Sequence, residues 1–237
     1  MAAARTFLVA ILIVLAVLCL TLPLLVCMIL GLRRPWLPIG AWVVRFYARI
    51  LGIRVEVRVR ENLPDRTVVF MSNHVSLLDG PLLVAHLRRR VRVIIKKQAF
   101  RLPVIGPGMK FIGFVPVDRK GGETGKMAIE KAIDTIKTSG DAFVIFPEGT
   151  RSRDGSLQRF RRGGFFLAVE SGSPIVPVVL QGTRALMPKG SLFIRSGPVR
   201  ITFLPAVETK GVCVDDMTEL MERVRGSIAR ALDEEFP

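Results

Sequence analysis

Two histidines, His74 and His86, occur in the chain of 237 residues, so an imidazole base working near neutral pH has to be one of them. His86 falls at helical spacing among leucines and next to an arginine run, which is typical of a structural or surface residue. His74 instead directly follows an apolar, β-branched stretch at Thr67–Met71 and the pair Ser72 and Asn73. The carboxyl end of a strand is where α/β proteins place ligand sites, so His74 is the predicted general base.

Asp79 follows His74 by five positions. Residues five apart on one continuous helix point about 140° apart, so the two side chains meet only if His74 is in a loop and Asp79 in the first helical turn. Ser76 and Asp79 have the spacing of a capping box, and Asp79 also fits the N-cap position with Pro81 near the helix start. Either arrangement turns the carboxylate toward one imidazole nitrogen and leaves the other as a general base. A carboxylate that only caps its helix is the alternative.

A second polar loop, Phe146–Ser152, follows the apolar stretch Ala142–Phe146. Its chemistry-bearing groups are a carboxylate, a flexible glycine, a hydroxyl and a guanidinium: Glu148, Gly149, Thr150 and Arg151. The planar fork of arginine and the backbone amides of such a loop suit a phosphate group. A polar turn without function is the alternative. The sequence shows no nucleophile elbow, Walker loop, dinucleotide fingerprint or metal-ligand cluster.

The elements that would position these loops alternate between strand and helix patterns. Strand patterns occur at Val55–Val59, Thr67–Met71, Val91–Ile95, Phe111–Val117, Ala142–Phe146, Ile175–Leu180, Leu192–Ile194 and Val199–Phe203. Helical spacing occurs at Leu77–Leu87, Met127–Ile136, Phe165–Val169 and from about Asp216. This alternation predicts an α/β domain with a mixed central sheet flanked by helices.

The N-terminal segment has a different character. From Thr6 to Leu32 no residue is charged, and as a helix this stretch would extend roughly 40 Å against a hydrocarbon core of about 30 Å. The run is too long for a secretory signal and lacks its cleavage site. We therefore expect a membrane segment. Pro23 leaves two forms open, a straight span and a helical hairpin that re-enters one leaflet.

Seven arginines lie between residues 33 and 60 against one acid, Glu56, so the positive-inside rule places the rest of the chain in the cytoplasm. We expect it on the inner membrane or another membrane that faces the cytoplasm. In the same region, apolar residues recur at helical spacing: Ile39, Trp42, Val43, Phe46 and Ile50. This pattern is typical of a helix in the bilayer interface, and a helix docked on its own domain is the alternative. We predict a membrane segment with this interfacial helix at residues 1–54 and an α/β domain at residues 55–237.

The chain carries 35 Lys and Arg against 20 Asp and Glu, a formal net charge of +15. Nucleic acid, anionic lipid and acidic proteins all fit that charge. No zinc finger, helix-turn-helix or ribonucleoprotein signature is present. With a membrane segment in the same chain, phospholipid head groups are the expected partner. Three cysteines, two of them in the apolar stretch, exclude a fully paired disulfide framework and a zinc spacing.

Four ordered motifs give the chain a family resemblance. Asn73–Asp79 matches the His-x₄-Asp signature of the glycerolipid acyltransferases, and Phe146–Ser152 matches their third motif. Gly113–Arg119 resembles the second motif and Ile175–Val178 the fourth. The chain is most similar to the bacterial 1-acylglycerol-3-phosphate acyltransferases, over roughly residues 35 to 205.

The resemblance implies transfer of a fatty acyl group from a thioester of coenzyme A or acyl carrier protein to the sn-2 hydroxyl of 1-acylglycerol 3-phosphate, giving phosphatidic acid. It implies no cofactor beyond that co-substrate. His74 would take the hydroxyl proton and Asp79 would hold the imidazole tautomer. The implied acceptor-binding residues are Glu148, Gly149, Thr150, Arg151, Arg119 and Lys97. Two alternatives stay open: acylation of another lysolipid, such as a lyso-ornithine lipid, and a non-catalytic, membrane-bound binder of anionic lipid or nucleic acid.

Overall fold

The computed structural model describes residues 36–87, 89–103, 105–117, 123–213 and 216–236, together with residues 11, 15, 26, 27 and 29–32. The strands are β1 (Ile53–Val59), β2 (Val69–Ser72), β3 (Val91–Lys96), β4 (Val115–Val117), β5 (Ala142–Ile145), β6 (Ile175–Gln181) and β7 (Gly197–Phe203). The helices are α1 (Trp36–Ile50), α2 (Asp79–His86), α3 (Ile105–Phe111), α4 (Glu123–Ser139), α5 (Arg162–Glu170), α6 (Thr183–Leu186) and α7 (Met217–Leu232), with a 3₁₀ turn at Lys97–Arg101.

The strands form one seven-stranded sheet in the order β1-β7-β6-β2-β5-β3-β4. Neighbouring strands are parallel except β6 and β7, which are antiparallel. The predicted α/β fold with a mixed sheet flanked by helices is thereby confirmed. β2 lies between β5 and β6 with Met71 opposite Ile145 and Ser72 opposite Val178. Because β2 and β5 are parallel neighbours, the loops that follow them leave the sheet side by side.

Two apolar layers enclose the central strands. Val69 and Met71 of β2 face a cluster made with α4, α5 and α7, whereas Phe70 faces a cluster made with α1 and α2. This alternation follows from the two-residue period of a strand. β2 and β5 are buried at every position, and apart from Ser72 at the end of β2 their residues are all apolar instead of alternating. Each fully buried side chain of Phe or Leu size contributes about 1.5–3 kcal/mol to folding.

The N-terminal membrane helix that the sequence predicts, Thr6–Leu32, lies almost entirely outside the described residues. Among the residues that the structure describes, no helix combines the length and apolar character needed to cross a bilayer. The predicted division between residues 54 and 55 falls inside β1, which begins at Ile53 and pairs with β7.

Helix α1 is docked on its own domain and also exposes an apolar face to the outside. It packs on α2, where Ala48 is buried and Arg45 Nη1 donates to the Ala85 carbonyl at 2.5 Å. Its outer face is apolar and exposed, and there the rings of Trp42 and Phe46 stack with centroids 5.3 Å apart. The helix is therefore docked on its domain while an aromatic surface faces outward.

One predicted strand was wrong in part and a second was wrong entirely. Phe111 ends α3 instead of starting a strand, because Gly113, at φ +82°, closes the helix and Phe114 N–H donates to the Met109 carbonyl. Only the second half of that stretch, Val115–Val117, is β4. The stretch Leu192–Ile194 is not a strand either. It forms an exposed loop in which Phe193 N–H donates to Ser191 Oγ instead of to a sheet partner.

Gly182 joins β6 to α6 with a φ of +88°, and a Cβ there would overlap the Pro198 carbonyl oxygen. We expect Gly182→Ala to lower the free energy of unfolding by at least about 2 kcal/mol more than Gly211→Ala. Gly211 has a similar φ of +84° but open space around its Cβ position, so its variant should show only the left-handed strain of about 1–2 kcal/mol. Equal losses in denaturant unfolding of the two variants would contradict this account.

Candidate active site

The loops after β2 and β5 are bonded to each other at the carboxyl edge of the sheet. His74 N–H donates to Glu148 Oε1 at 2.7 Å, and Ser152 N–H donates to the His74 carbonyl at 2.7 Å. Asn73 fixes the first loop to β6, since its side-chain amide donates to the Leu180 carbonyl at 2.9 Å and accepts from Leu180 N–H at 2.8 Å. The structure thus brings both predicted motifs into one site.

His74 and Asp79 are in direct contact. His74 Nδ1 lies 2.8 Å from Asp79 Oδ2, and the same oxygen accepts the backbone N–H groups of Val75 and Ser76, each at 2.7 Å. The Asp79 side chain is fully buried, whereas 15% of the His74 side chain is exposed. The imidazole ring also stacks on Phe146 with centroids 4.1 Å apart. Carboxylate and aromatic ring together fix the orientation of the imidazole.

Asp79 reaches His74 through contacts of the predicted capping box, because its Oδ2 accepts Ser76 N–H in the turn that leads into the helix. Asp79 is the first residue of α2, and the N-cap residue is Leu78, which makes no side-chain cap. Ser76 Oγ accepts from Leu78 N–H at 3.2 Å and donates to the Met187 carbonyl at 2.7 Å. The carboxylate therefore closes the turn that leads into α2, and the alternative in which Asp79 itself is the N-cap is wrong because Asp79 lies inside the helix.

With an ionised Asp79, the contact at Oδ2 requires the proton of the neutral imidazole to be on Nδ1. Nε2 is then the nitrogen with a free lone pair, and it is the one available to accept a proton from a bound group. The arrangement is that of a base held in one tautomer by a carboxylate.

Glu148 is a buried carboxylate with both oxygens engaged. Oε1 accepts from His74 N–H, and Oε2 accepts from Gln158 N–H at 3.1 Å. Burial raises the pKa of Glu148 to about 7, and the nearby Asp79 carboxylate adds to the rise while the two N–H donors oppose it. In this structure Glu148 joins the two loops, so the geometry makes it a positioning residue. The expectation from the family resemblance was direct contact with the acceptor.

The three residues after Glu148 form a turn that places a positive charge at the site. Gly149 has a φ of +70°, and a Cβ there would lie 2.7 Å from Arg161 Nε, so the turn requires glycine. Thr150 is exposed at the turn. Arg151 is half-buried, and no protein group among the described residues pairs with its guanidinium. The positive charge of Arg151 is therefore available to an anion.

Of the two remaining predicted phosphate ligands, Lys97 is not brought together with this loop. Lys97 is exposed at the start of the 3₁₀ turn after β3, and within the described residues no hydrogen bond or ion pair joins it to either loop. Arg119 lies outside the described residues. No group of His, Cys, Asp and Glu suited to a metal ion occurs in the part of the chain that the structure describes.

Fold and site together define a class: an α/β protein in which a carboxylate-held histidine lies beside a cationic loop at one edge of the sheet. The acyltransferase family model matches residues 54–181, which contain both loops, and the chain belongs to this acyltransferase family. In the crystal structure of the 1-acyl-sn-glycerophosphate acyltransferase PlsC from Thermotoga maritima, the same fold is found with a TM-score of 0.72 and 28% identity. The match covers 85% of this chain and 80% of that one.

Curated relatives carry the same activity in their names. The human 1-acyl-sn-glycerol-3-phosphate acyltransferase alpha is 34% identical over 180 residues, which are 76% of this chain and 64% of that protein. The chloroplastic 1-acyl-sn-glycerol-3-phosphate acyltransferase LPAT1 of Arabidopsis thaliana is 33% identical over 183 residues, 76% of this chain and 49% of that protein. The chain thus spans about half to two thirds of the length of these relatives.

The raised pKa of Glu148 makes stability depend on pH. Between its ordinary pKa of 4.5 and its folded value of about 7, the folded protein keeps a proton that the unfolded chain releases. The free energy of unfolding should therefore fall as pH rises across this interval, by about 1–3 kcal/mol from Glu148. Glu148→Gln, which does not ionise, should show a shallower fall. Denaturant unfolding of both proteins in detergent across this range tests the expectation, and parallel pH profiles would refute it.

Proposed function

We propose that this chain is an O-acyltransferase that moves a fatty acyl group from a thioester of coenzyme A or acyl carrier protein to the sn-2 hydroxyl of 1-acylglycerol 3-phosphate. The observation that carries the proposal is the 2.8 Å contact between His74 Nδ1 and Asp79 Oδ2, beside a loop that presents Arg151. The names of the relatives and of the structural neighbour support the same reaction.

The proposed step needs one base and no protein nucleophile. His74 Nε2 accepts the proton of the acceptor hydroxyl as its oxygen attacks the thioester carbonyl. The tetrahedral intermediate then expels the thiolate. The thiolate accepts the proton from the imidazolium and leaves as a thiol. Asp79 holds the ring and stabilises the imidazolium between the two transfers. The ester formed is phosphatidic acid.

Arg151 supports a phosphate-bearing acceptor. Its guanidinium is half-buried without an acidic partner among the described residues, and it follows the tight turn at Gly149. A planar guanidinium binds a phosphate group through two parallel hydrogen bonds. A charged head group held there would place the glycerol hydroxyl near His74, because Ser152 N–H is bonded to the His74 carbonyl.

The position of α1 supports action at a membrane surface. Its exposed apolar residues, Ile39, Trp42, Phe46 and Ile50, form one outer face. Between α1 and α2 lies an apolar groove of about 230 Å³, lined among others by Tyr47, Leu78 and Ile194. Leu78 is the neighbour of Asp79, so this groove begins next to the site and suits a lipid chain. We propose that α1 seats the site on the cytoplasmic face of the membrane.

His74→Ala and Asp79→Asn should each lower acyl transfer by about 10²–10⁴-fold, because one removes the base and the other removes the charge that orients it. The measurement is thiol release from an acyl thioester by the purified protein with a panel of lysolipid acceptors. His86→Ala is the matched control, since His86 Nδ1 bonds to the Leu82 carbonyl in its own helix and should be dispensable for transfer.

Near-normal turnover by a folded His74→Ala protein would reject the catalytic assignment. Transfer to a lyso-ornithine lipid with none to 1-acylglycerol 3-phosphate would keep the chemistry and replace the acceptor. Lipid binding without transfer to any acceptor would favour the non-catalytic binder.

A further inference from the structure

One short segment outside the four motifs contacts both loops of the site. This segment, Met187–Lys189, follows α6. The Met187 carbonyl accepts from Ser76 Oγ at 2.7 Å, and Pro188 forms an isolated antiparallel bridge with Ser76. Ser76 belongs to the loop that holds His74, so the segment is bonded to the loop that carries the base.

The next residue in the segment, Lys189, contacts the second loop. Lys189 Nζ donates to the Arg151 carbonyl at 2.6 Å and to Thr150 Oγ1 at 3.2 Å. The side chain is half-buried and has no carboxylate partner in the part of the chain that the structure describes. An ammonium group carries three N–H donors, so these two bonds leave one for a ligand.

We infer that Lys189 binds the acceptor's phosphate together with Arg151, and that it also positions the turn that carries Arg151. The inference rests on the proposed function and deepens it, by assigning the acceptor's phosphate to a pair of cations, Arg151 and Lys189. Among the described residues neither cation forms an ion pair with a carboxylate: Glu148 accepts backbone N–H groups, and Asp154 accepts from Ser152 and Ser156.

Lys189 affects Arg151 because it is bonded to the backbone that carries the Arg151 guanidinium. Among the described residues this guanidinium makes no hydrogen bond or ion pair, so its direction depends strongly on the backbone that carries it. That backbone follows a left-handed glycine, and its carbonyl is fixed by Lys189. Loss of the ammonium would release the turn and remove a charge from the site in one change. Both effects weaken binding of a phosphate group more than they affect proton transfer at His74.

The experiment compares Lys189→Met with Lys189→Arg, with Arg151→Met as the reference for a lost phosphate contact. Arg184→Met is the matched control, because Arg184 is also a cation on this loop but donates to the Arg153 carbonyl, two residues farther along. For each protein, KM and kcat are measured with 1-acylglycerol 3-phosphate, and binding of glycerol 3-phosphate is measured by ligand-observed NMR. The thermal unfolding midpoint shows that each variant is folded.

We expect Lys189→Met to raise KM about tenfold with kcat changed less than about threefold, the signature of lost uniform binding. Lys189→Arg, which keeps charge and donors, should recover most of that loss, and Arg184→Met should match the wild type. Glycerol 3-phosphate binding should weaken in parallel with KM. A KM for Lys189→Met no higher than that of Arg184→Met, or a fall in kcat at unchanged KM, would overturn the inference.

Absence of transfer by the wild type would reject the proposed function, and the binding measurement would still decide the role of Lys189. In that case unchanged glycerol 3-phosphate binding in Lys189→Met would overturn the inference as well, whereas a loss restored by arginine would support it.

Discussion

Three donors converge on one buried oxygen, Asp79 Oδ2, and the rest of the site depends on that convergence. Two of the donors are backbone N–H groups that have no partner in a strand or helix. The carboxylate accepts their hydrogen bonds and also sets the direction of the His74 ring. A buried carboxylate is costly unless it is hydrogen-bonded in this way. The contact is thus structural and chemical at once, because the bonds that fold the loop also select the imidazole tautomer.

The carboxylates and the cations of the site lie in different places. Asp79 and Glu148 are buried and accept N–H groups, so they hold the two loops together. Arg151 and Lys189 lie at the more accessible side and are not neutralised by these acids. This separation leaves two cations without an ion-pair partner, among the described residues, at the accessible side of the site. An anionic lipid head group is attracted to such a site, and the exposed aromatic face of α1 adds an apolar contact.

Features that depend on residues close together in the sequence were predictable. Strand and helix periods predicted the α/β fold. The five-residue spacing of His74 and Asp79, with a break between loop and helix, indicated their contact but left helix capping alone as the alternative. The role of Glu148 was not predictable, because its partners His74 and Gln158 lie 74 and 10 residues away, and a carboxylate in a polar loop looks solvent-exposed in sequence. Lys189, 38 residues beyond Arg151, carried no local signal for the same reason.

The most direct measurement is the protonation of the His74 ring, read from ¹⁵N NMR shifts of histidine-labelled protein in detergent. The chain has two histidines, so a His86 variant assigns the signals. At alkaline pH, where the ring is neutral, the account predicts a proton on Nδ1 and a bare Nε2, and a mixture of tautomers in Asp79→Asn. A wild-type ring protonated on Nε2, or one averaging between tautomers, would contradict the claim that Asp79 prepares His74 as a base.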